Sequence, residues 1–430
     1  MSSSLKRVLT IACGVLLGLL VADSAVRMAQ RWGVFPDGGL GRSSAYVRDA
    51  MLLINAHYVD EGRAGFDELG RSALHGLVES LDPHSEFMEA REFKLLEEDM
   101  SSEFGGIGVQ VEMRKGRVYV IAPVAGSPGE RAGIRRGDEI VSIDGETLER
   151  PTMEDVVTRL RGKPKSSVRL GLLRPGGRRE HEVAIEREII RSESVREARV
   201  LPGAGGAGYL QITQFTERTG EEFSGALDKL LAQGARALVI DLRNNPGGLL
   251  GAAVGVAEPF FERGGLIVYT QGRRAGDRKE YRAESSGPPL QIPLAVLVNA
   301  GSASAAEIVA GALKDTGRAV IVGERSFGKG SVQSIFELRA GEAVRLTTAR
   351  YYTPGGATIH ERGVEPQVEV VLTGPEDDSV RLQLARPDIK DAEVFKERFG
   401  VEMTPDRQLQ AAVGVLRGVL AFDESAAKTE

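Results

Sequence analysis

The chain has 430 residues, 42% hydrophobic and 27% charged, with a net charge of −6 and one cysteine. That length exceeds one ordinary hydrophobic core, so two or three domains are expected. The mildly acidic balance argues against nucleic acid as a partner, and one cysteine excludes a disulfide framework. The five histidines, His57, His75, His84, His181 and His360, lack zinc-motif spacing, so neither metal nor cofactor is expected.

Lys6 and Arg7 precede an apolar run from Val8 to Ala22, followed by the small-residue site Ala22-Asp23-Ser24. This pattern predicts a signal peptide over residues 1–25, with retention as an inner-membrane anchor as the alternative. The body of the protein is then expected outside the cytoplasm, in the periplasm or cell envelope. Residues 33–42 are rich in Gly and Pro and read as a linker. Apolar residues at helical period predict helices from Ser44 to Tyr58 and from Asp67 to Leu81, the second stopped by Asp82-Pro83. A third, charged helix is expected from Glu89 to Glu98.

From Phe104 to Arg187 the pattern changes to short β-type runs: 108–112, 118–121, 139–143, 168–173 and 181–185. A helix is expected from Met153 to Leu160. This is a compact α+β module. Beyond Ala207, apolar strands at 208–212, 237–242, 294–299 and 319–323 alternate with helices at 223–231 and 305–314. Buried strands alternating with helices predict a layered α/β core with a partly parallel sheet. A further strand is expected at 344–352, and the tail from Ser379 onward reads as mostly helical.

The module opens on Gly105-Gly106-Ile107-Gly108-Val109. A Gly-x-Gly turn at a strand start leaves backbone N–H groups free to hold a carboxylate. The nineteen residues from Ser127 to Gly145, SPGERAGIRRGDEIVSIDG, resemble the bacterial PDZ signature. That resemblance implies binding of C-terminal peptides by strand addition at Gly106, Ile107, Gly108 and Val109.

Two segments of the core carry chemistry. Asn299-Ala300-Gly301-Ser302-Ala303-Ser304-Ala305-Ala306-Glu307 follows an apolar strand and opens a helix. A nucleophile there gains unpaired N–H groups and a favourable helix dipole, but Ser304-x-x-Glu307 is also a capping box. Gly323-Glu324-Arg325-Ser326-Phe327-Gly328-Lys329-Gly330 has almost the spacing of a phosphate loop. Gly330 stands where such a loop needs Ser or Thr, and the segment after it reads as a strand, so nucleotide binding is rejected. A buried lysine between glycines can instead act as a general base, because desolvation lowers its pKa. Gln333 is placed to orient the amine. The elbow motif Gly-x-Ser-x-Gly is absent, and no histidine sits in a setting that suggests a Ser-His-Asp triad.

Taken together, these segments resemble the C-terminal processing peptidases, or tail-specific proteases. The family motif is Ser-Ala-Ser-Ala, then Phe-Gly-Lys-Gly with a glutamine four residues past the lysine. The family's serine lies 25 positions before the lysine, which selects Ser304 over Ser302. The resemblance runs from Leu81-Asp82-Pro83 to Gly363-Val364-Glu365-Pro366, with Ala306 and Ser326 as mild departures. It implies a Ser304–Lys329 acyl-enzyme mechanism. It also implies an oxyanion hole from Ala305 and a glycine of Asp241-Leu242-Arg243-Asn244-Asn245-Pro246-Gly247-Gly248, with Gly248 favoured over Gly247. Arg161 matches a PDZ arginine that faces the protease and couples peptide binding to activation. The fold expected is multidomain, mixed α+β and α/β: a helical segment (43–100), a PDZ domain (101–190), a layered crotonase-like or Clp-like core (191–373) and a helical end (374–430). Expected partners are proteins with unstructured C-terminal tails, further copies of the chain and an adaptor protein. A non-catalytic PDZ scaffold or chaperone of the cell envelope is the rival reading.

Overall fold

A computed structural model describes residues 38–114, 116–175 and 179–426, together with Gly18 and Ser24. The expected signal or anchor segment, 1–25, otherwise lies outside the described residues. Among the described residues no helix is long and apolar enough to cross a membrane. The chain divides into two compact units, residues 1–87 and 88–430.

The first unit holds helices α1 (Gly38–His57) and α2 (Phe66–Glu79). Residues 38–42, expected in a linker, are helical. A helical glycine costs only about 1 kcal/mol. Once the apolar segment has nucleated, each added residue gains a hydrogen bond, so the helix runs back through Gly41 and Gly39. Asn55 Nδ2 donates to the Ala64 carbonyl at 2.9 Å and ties the connection to α1.

The second unit begins with α3 (Ala90–Ser101), which ends at Ser102 in the left-handed conformation. A short ribbon follows, β1 (Glu103–Gly106), which pairs with β8 (Glu188–Arg191). Between these strands lies the middle module. It contains β2 (Val109–Arg114), β3 (Arg117–Pro123), α4 (Pro128–Arg131), β4 (Glu139–Ile143) and β5 (Glu146–Thr147). It continues with α5 (Met153–Leu160), β6 (Ser167–Leu173) and β7 (His181–Glu186). Its antiparallel order is β2-β3-β4-β6-β7, with β5 beside β4. The core is aliphatic, with Val118, Ile140, Val156, Leu170 and Ile185 all buried. β2 lies at the sheet edge, so one row of its backbone groups is open to strand addition.

The remaining elements build the large core. A six-stranded sheet has the order β9 (Val195–Val200), β10 (Ala207–Ile212), β11 (Ala237–Asp241), β14 (Leu294–Val298), β15 (Val320–Gly323), β18 (Val368–Glu369). Only β9 is antiparallel to its neighbour. The central strands β11, β14 and β15 are almost wholly apolar because both faces are covered. Leu210, Leu238 and Val296 pack on one side with α6 (Thr219–Ala232), α7 (Leu250–Ala257) and α8 (Ala305–Asp315). Tyr209, Val239 and Leu297 point the other way, onto Ala412 and Leu416 of α11 (Arg407–Ala426). A second, antiparallel sheet pairs β16 (Ser331–Glu337) with β17 (Ala343–Tyr352), β17 with β12 (Leu266–Gly272), and β12 with β13 (Arg278–Arg282). The tail is helical as expected, with α9 (Gly374–Ala385) and α10 (Ala392–Phe399) before α11.

Arg187 holds the middle module's helix in place. It is buried, and its guanidinium donates to the carbonyls of Arg159 (2.7 Å) and Leu160 (3.1 Å) at the end of α5. It also donates to Ser166 Oγ and the Ser167 carbonyl, each at 3.0 Å. Arg187→Ala removes the donor from four acceptors, of which the Leu160 carbonyl belongs to a buried residue. It is expected to destabilise the module by ~3 kcal/mol, read as faster amide exchange in residues 153–173.

Candidate active site

Parallel strands β10, β11, β14 and β15 deliver four loops to one end of the sheet, at their C-terminal ends, where open α/β sheets bind ligands. Register fixes the spacing: Asp241 pairs with Leu297, and Val298 with Gly323. Gly323 has φ +126°, and a Cβ there would lie 2.1 Å from the Val298 carbonyl oxygen. Only glycine lets these two strands end so close together.

Ser304 ends the loop between β14 and α8. Its φ of 55° and ψ of −115° put a non-glycine residue in a strained conformation, at a strand-to-helix turn. Such a turn is how the elbow motif exposes a nucleophile, and it occurs here without the motif's second glycine. The room comes from a neighbouring loop instead. A Cβ on Gly247 would lie 2.7 Å from Ser304 Cβ and 2.9 Å from the Ala305 nitrogen. The Ser304 hydroxyl makes no side-chain cap hydrogen bond. The N–H of Glu307 goes to the Ser304 backbone carbonyl, at 2.9 Å.

Glu307 has a larger part than capping. It is fully buried, and four donors converge on its carboxylate. The backbone N–H groups of Ser304 and Lys329 both donate to Oε2, at 2.8 and 2.9 Å. Ser326 Oγ and the Gly328 N–H donate to Oε1, at 2.5 and 2.7 Å. Burial pushes the Glu307 carboxyl above its ordinary value, and the bonds from Ser326, Gly328, Ser304 and Lys329 pull against that shift. Three of the four partners are backbone N–H groups, which can only donate, and they favour the ionised form against the upward push of burial. Tyr351 closes the arrangement from β17. Its buried hydroxyl contacts the carbonyl oxygen of Ser304 at 3.1 Å and that of Lys329. Burial and the neighbouring Glu307 raise its pKa well above the ordinary value, so the phenol stays protonated.

The loop after β11 is stitched to the serine loop. Ser302 Oγ donates to the Leu242 carbonyl at 2.8 Å, and the Ala303 N–H to the Asn245 carbonyl at 2.9 Å. The Asn244 N–H reaches Asn299 Oδ1 at 2.8 Å. Buried Asn245 takes the Gly247 N–H on Oδ1 at 2.8 Å, which uses up that donor. The N–H groups of Gly248 and Ala305 donate to no described residue. Gly248 is exposed, with φ +137°, and a Cβ would lie 2.0 Å from the Phe215 carbonyl oxygen. Unengaged N–H donors of this kind can receive a developing oxyanion. Gln333 sits at a bulge between β16 and β17. Its Nε2 donates to Ser331 Oγ at 2.9 Å and Thr347 Oγ1 at 3.3 Å, which leaves Oε1 as the acceptor end.

In the middle module, Gly108 has φ +68°, and a Cβ there would lie 2.3 Å from Ser127 Cβ. Its carbonyl takes the Val124 N–H at 2.8 Å and Ser127 Oγ at 2.9 Å, and the Ile107 carbonyl takes the Gly129 N–H at 2.7 Å. The N–H groups of Ile107 and Gly108 donate to no described residue. Gly106 ends β1 and Val109 begins β2, so the loop lies at the head of the edge strand. Glu112, farther along that strand, pairs with Arg386 and Arg398 of the C-terminal region. Arg161 follows α5, with its guanidinium 4.3 Å from the Phe104 ring centroid and 3.6 and 3.8 Å from the carboxylates of Asp99 and Glu98 on α3.

Residues 206–370 match the model of peptidase family S41, and residues 119–174 match a PDZ domain. The carboxy-terminal-processing protease of Bartonella bacilliformis is 37% identical over 366 residues, 84% of this chain and 82% of that one. Carboxy-terminal processing protease CtpB of Bacillus subtilis is 33% identical, over 84% of this chain and 76% of its own. A solved photosystem II D1 C-terminal processing protease is 32% identical, with a TM-score of 0.44 over 75% of this chain and 92% of that one. A protease carrying a PDZ domain is the class that the two family models and the sequence relatives define. The chain belongs to peptidase family S41, among the carboxy-terminal processing proteases.

Sequence reasoning placed Glu307 only as the partner of Ser304 in a capping box and gave no part to Tyr351, Asn245 or Ser302. The only local signal was the Asn-Asn pair ahead of Pro246, polar residues at the end of a buried strand. Glu307→Gln keeps one acceptor oxygen and turns the other into a donor, which in either orientation faces at least one backbone N–H group. It is expected to lower turnover at least about tenfold, since about 1 Å of misplacement can cost 10²-fold. Steady-state peptide cleavage measures this, with circular dichroism as the check on folding.

Proposed function

We propose that this protein is a serine endopeptidase that cuts extracytoplasmic proteins at or near their C-terminal ends through a Ser304–Lys329 acyl-enzyme mechanism. The observation that carries the reading is the shared Glu307 oxygen. Two N–H groups on one acceptor hold the serine and lysine backbones no farther apart than the sum of the two hydrogen-bond distances.

In this mechanism neutral Lys329 takes the Ser304 hydroxyl proton as Oγ attacks a peptide carbonyl. The tetrahedral oxyanion is received by the N–H groups of Gly248 and Ala305. Gly248 is preferred over Gly247 because the Gly247 N–H is already held by Asn245. Protonated Lys329 gives its proton to the leaving amine, and the C–N bond breaks to leave an ester on Ser304. Lys329 then deprotonates water, which hydrolyses the ester and restores the serine. Gln333 orients the amine through its acceptor oxygen.

The loop Gly106, Ile107, Gly108 and Val109 takes the substrate's terminal carboxylate on its unengaged N–H groups, and the tail adds beside β2. Arg161 relays that event. It grips α3, whose Met100 carbonyl takes the Glu217 N–H at 3.0 Å, two residues past Phe215. Phe215 in turn holds the backbone on either side of Gly248, at 2.8 Å to Gly247 and to Leu249. The reading includes export by residues 1–25, with cleavage or anchoring, assembly with further copies of the chain, and delivery of substrates by an adaptor.

Cleavage of a disordered casein by the full chain, beside Ser304→Ala and Lys329→Ala, tests the mechanism. Both variants are expected to fold and to lose about 10⁴-fold or more in kcat. Wild-type cleavage should rise with pH, since only the neutral amine accepts a proton. Near-normal cutting by Lys329→Ala would sink the proposed base, and three equally inert proteins would favour a PDZ scaffold.

A further inference from the structure

The last helix has no part in the mechanism above, yet it begins inside a buried polar network behind the site. Arg243 lies one residue past Leu242 and two before Asn245, in the loop that presents Gly248. Its side chain is 1% exposed. Nε donates to Asp241 Oδ1 at 3.0 Å and Nη2 to Asp241 Oδ2 at 2.6 Å. The same guanidinium reaches across to Asp406, with Nη1 on Oδ1 at 2.9 Å and Nη2 on Oδ2 at 2.7 Å. Burial alone would lower the arginine's pKa, but the Asp241 and Asp406 charges raise it instead, so it stays charged.

Asp406 also caps α11, since Oδ1 accepts the Leu409 N–H at 2.9 Å. Gln408, two residues on, is itself buried and has two ends in use. Its Oε1 accepts from Arg243 Nη1 at 3.2 Å. Its Nε2 donates to the Val370 carbonyl at 2.9 Å and to Glu324 Oε1 at 3.3 Å. Glu324 is the first residue after β15, at the root of the loop that carries Lys329. The start of α11 therefore holds the loop with Gly248 through Arg243, and the loop with Lys329 through Glu324.

We infer that Asp406 and Gln408 are positioning residues of the peptidase site, which set the oxyanion loop and the lysine loop at a fixed spacing from behind. The inference rests on the Ser304–Lys329 reading. Neither residue touches substrate. Each acts through Arg243 or Glu324, and the effect falls on the chemical step, because a small displacement of an oxyanion donor or a base weakens the transition state more than the bound substrate.

The test is steady-state cleavage of a quenched fluorescent peptide by the full chain, with Asp406→Asn, Asp406→Glu, Gln408→Leu and Ser304→Ala. Asp406→Asn is expected to lower kcat by about tenfold to hundredfold at nearly unchanged KM, with most of the loss recovered in Asp406→Glu. Gln408→Leu should fall in the same direction. Wild-type kcat in both Asp406→Asn and Gln408→Leu overturns the inference, whatever happens to their melting temperatures, and so does a change confined to KM. Should Asp406→Asn not fold, Gln408→Leu decides alone by the same criterion. Undiminished cleavage by Ser304→Ala would instead remove the nucleophile reading. The kcat ratios of the other variants would still decide whether α11 positions the site.

Discussion

Everything at the sheet end depends on one buried carboxylate. Glu307 collects N–H donors from the serine turn and from the lysine loop, segments that come from different strands and have no covalent reason to meet. Ionising a carboxyl inside protein is costly, and burial drives its pKa upward. Four donors aimed at two oxygens offset that cost. The same contacts fix the positive-φ serine in place, since its own N–H is one of the four. Strain in the turn and ionisation of the glutamate are thus held by a single set of hydrogen bonds.

The scaffold explains why those loops are at hand. Parallel strands buried on both faces must end together, and β11, β14 and β15 release their chains within bonding distance of one another. Close endings need glycine, and Gly323 and Gly247 stand where any side chain would collide with the Val298 carbonyl or with Ser304 itself. Side-chain amides do the rest of the stitching, with Asn244 and Asn299 joined by two hydrogen bonds and Asn245 spanning from the Ile212 carbonyl to Gly247.

Much of this was legible in the sequence. The strands at 237–242 and 294–299 and the helix at 153–160 were plain because each carries one clear period or an unbroken apolar run. Helix α7 was not, because LGAAVGVA has no polar face to mark a period. Strand β12 runs Leu-Ile-Val-Tyr-Thr-Gln-Gly with no clean alternation, and β13, Arg-Lys-Glu-Tyr-Arg, is charged and mostly exposed, so neither stood out. At the site, Lys329 and Ser304 stood out through local glycine and serine patterns. The second role of Glu307 did not, since its partners lie 19 to 22 residues on. Still less visible was Asp406, which meets Arg243 across 163 positions. Local pattern reports what a residue does to its own helix or strand. Contacts made only after the chain has closed leave no such trace.

The placement of α11 has a consequence for the site. Asp406, 163 positions past Arg243, closes the polar network behind the loop that carries Gly248. Ala412 and Leu416 bury the body of this helix against the sheet. With α11 undocked, the loop of Gly248 and the loop of Lys329 lose their shared backing together.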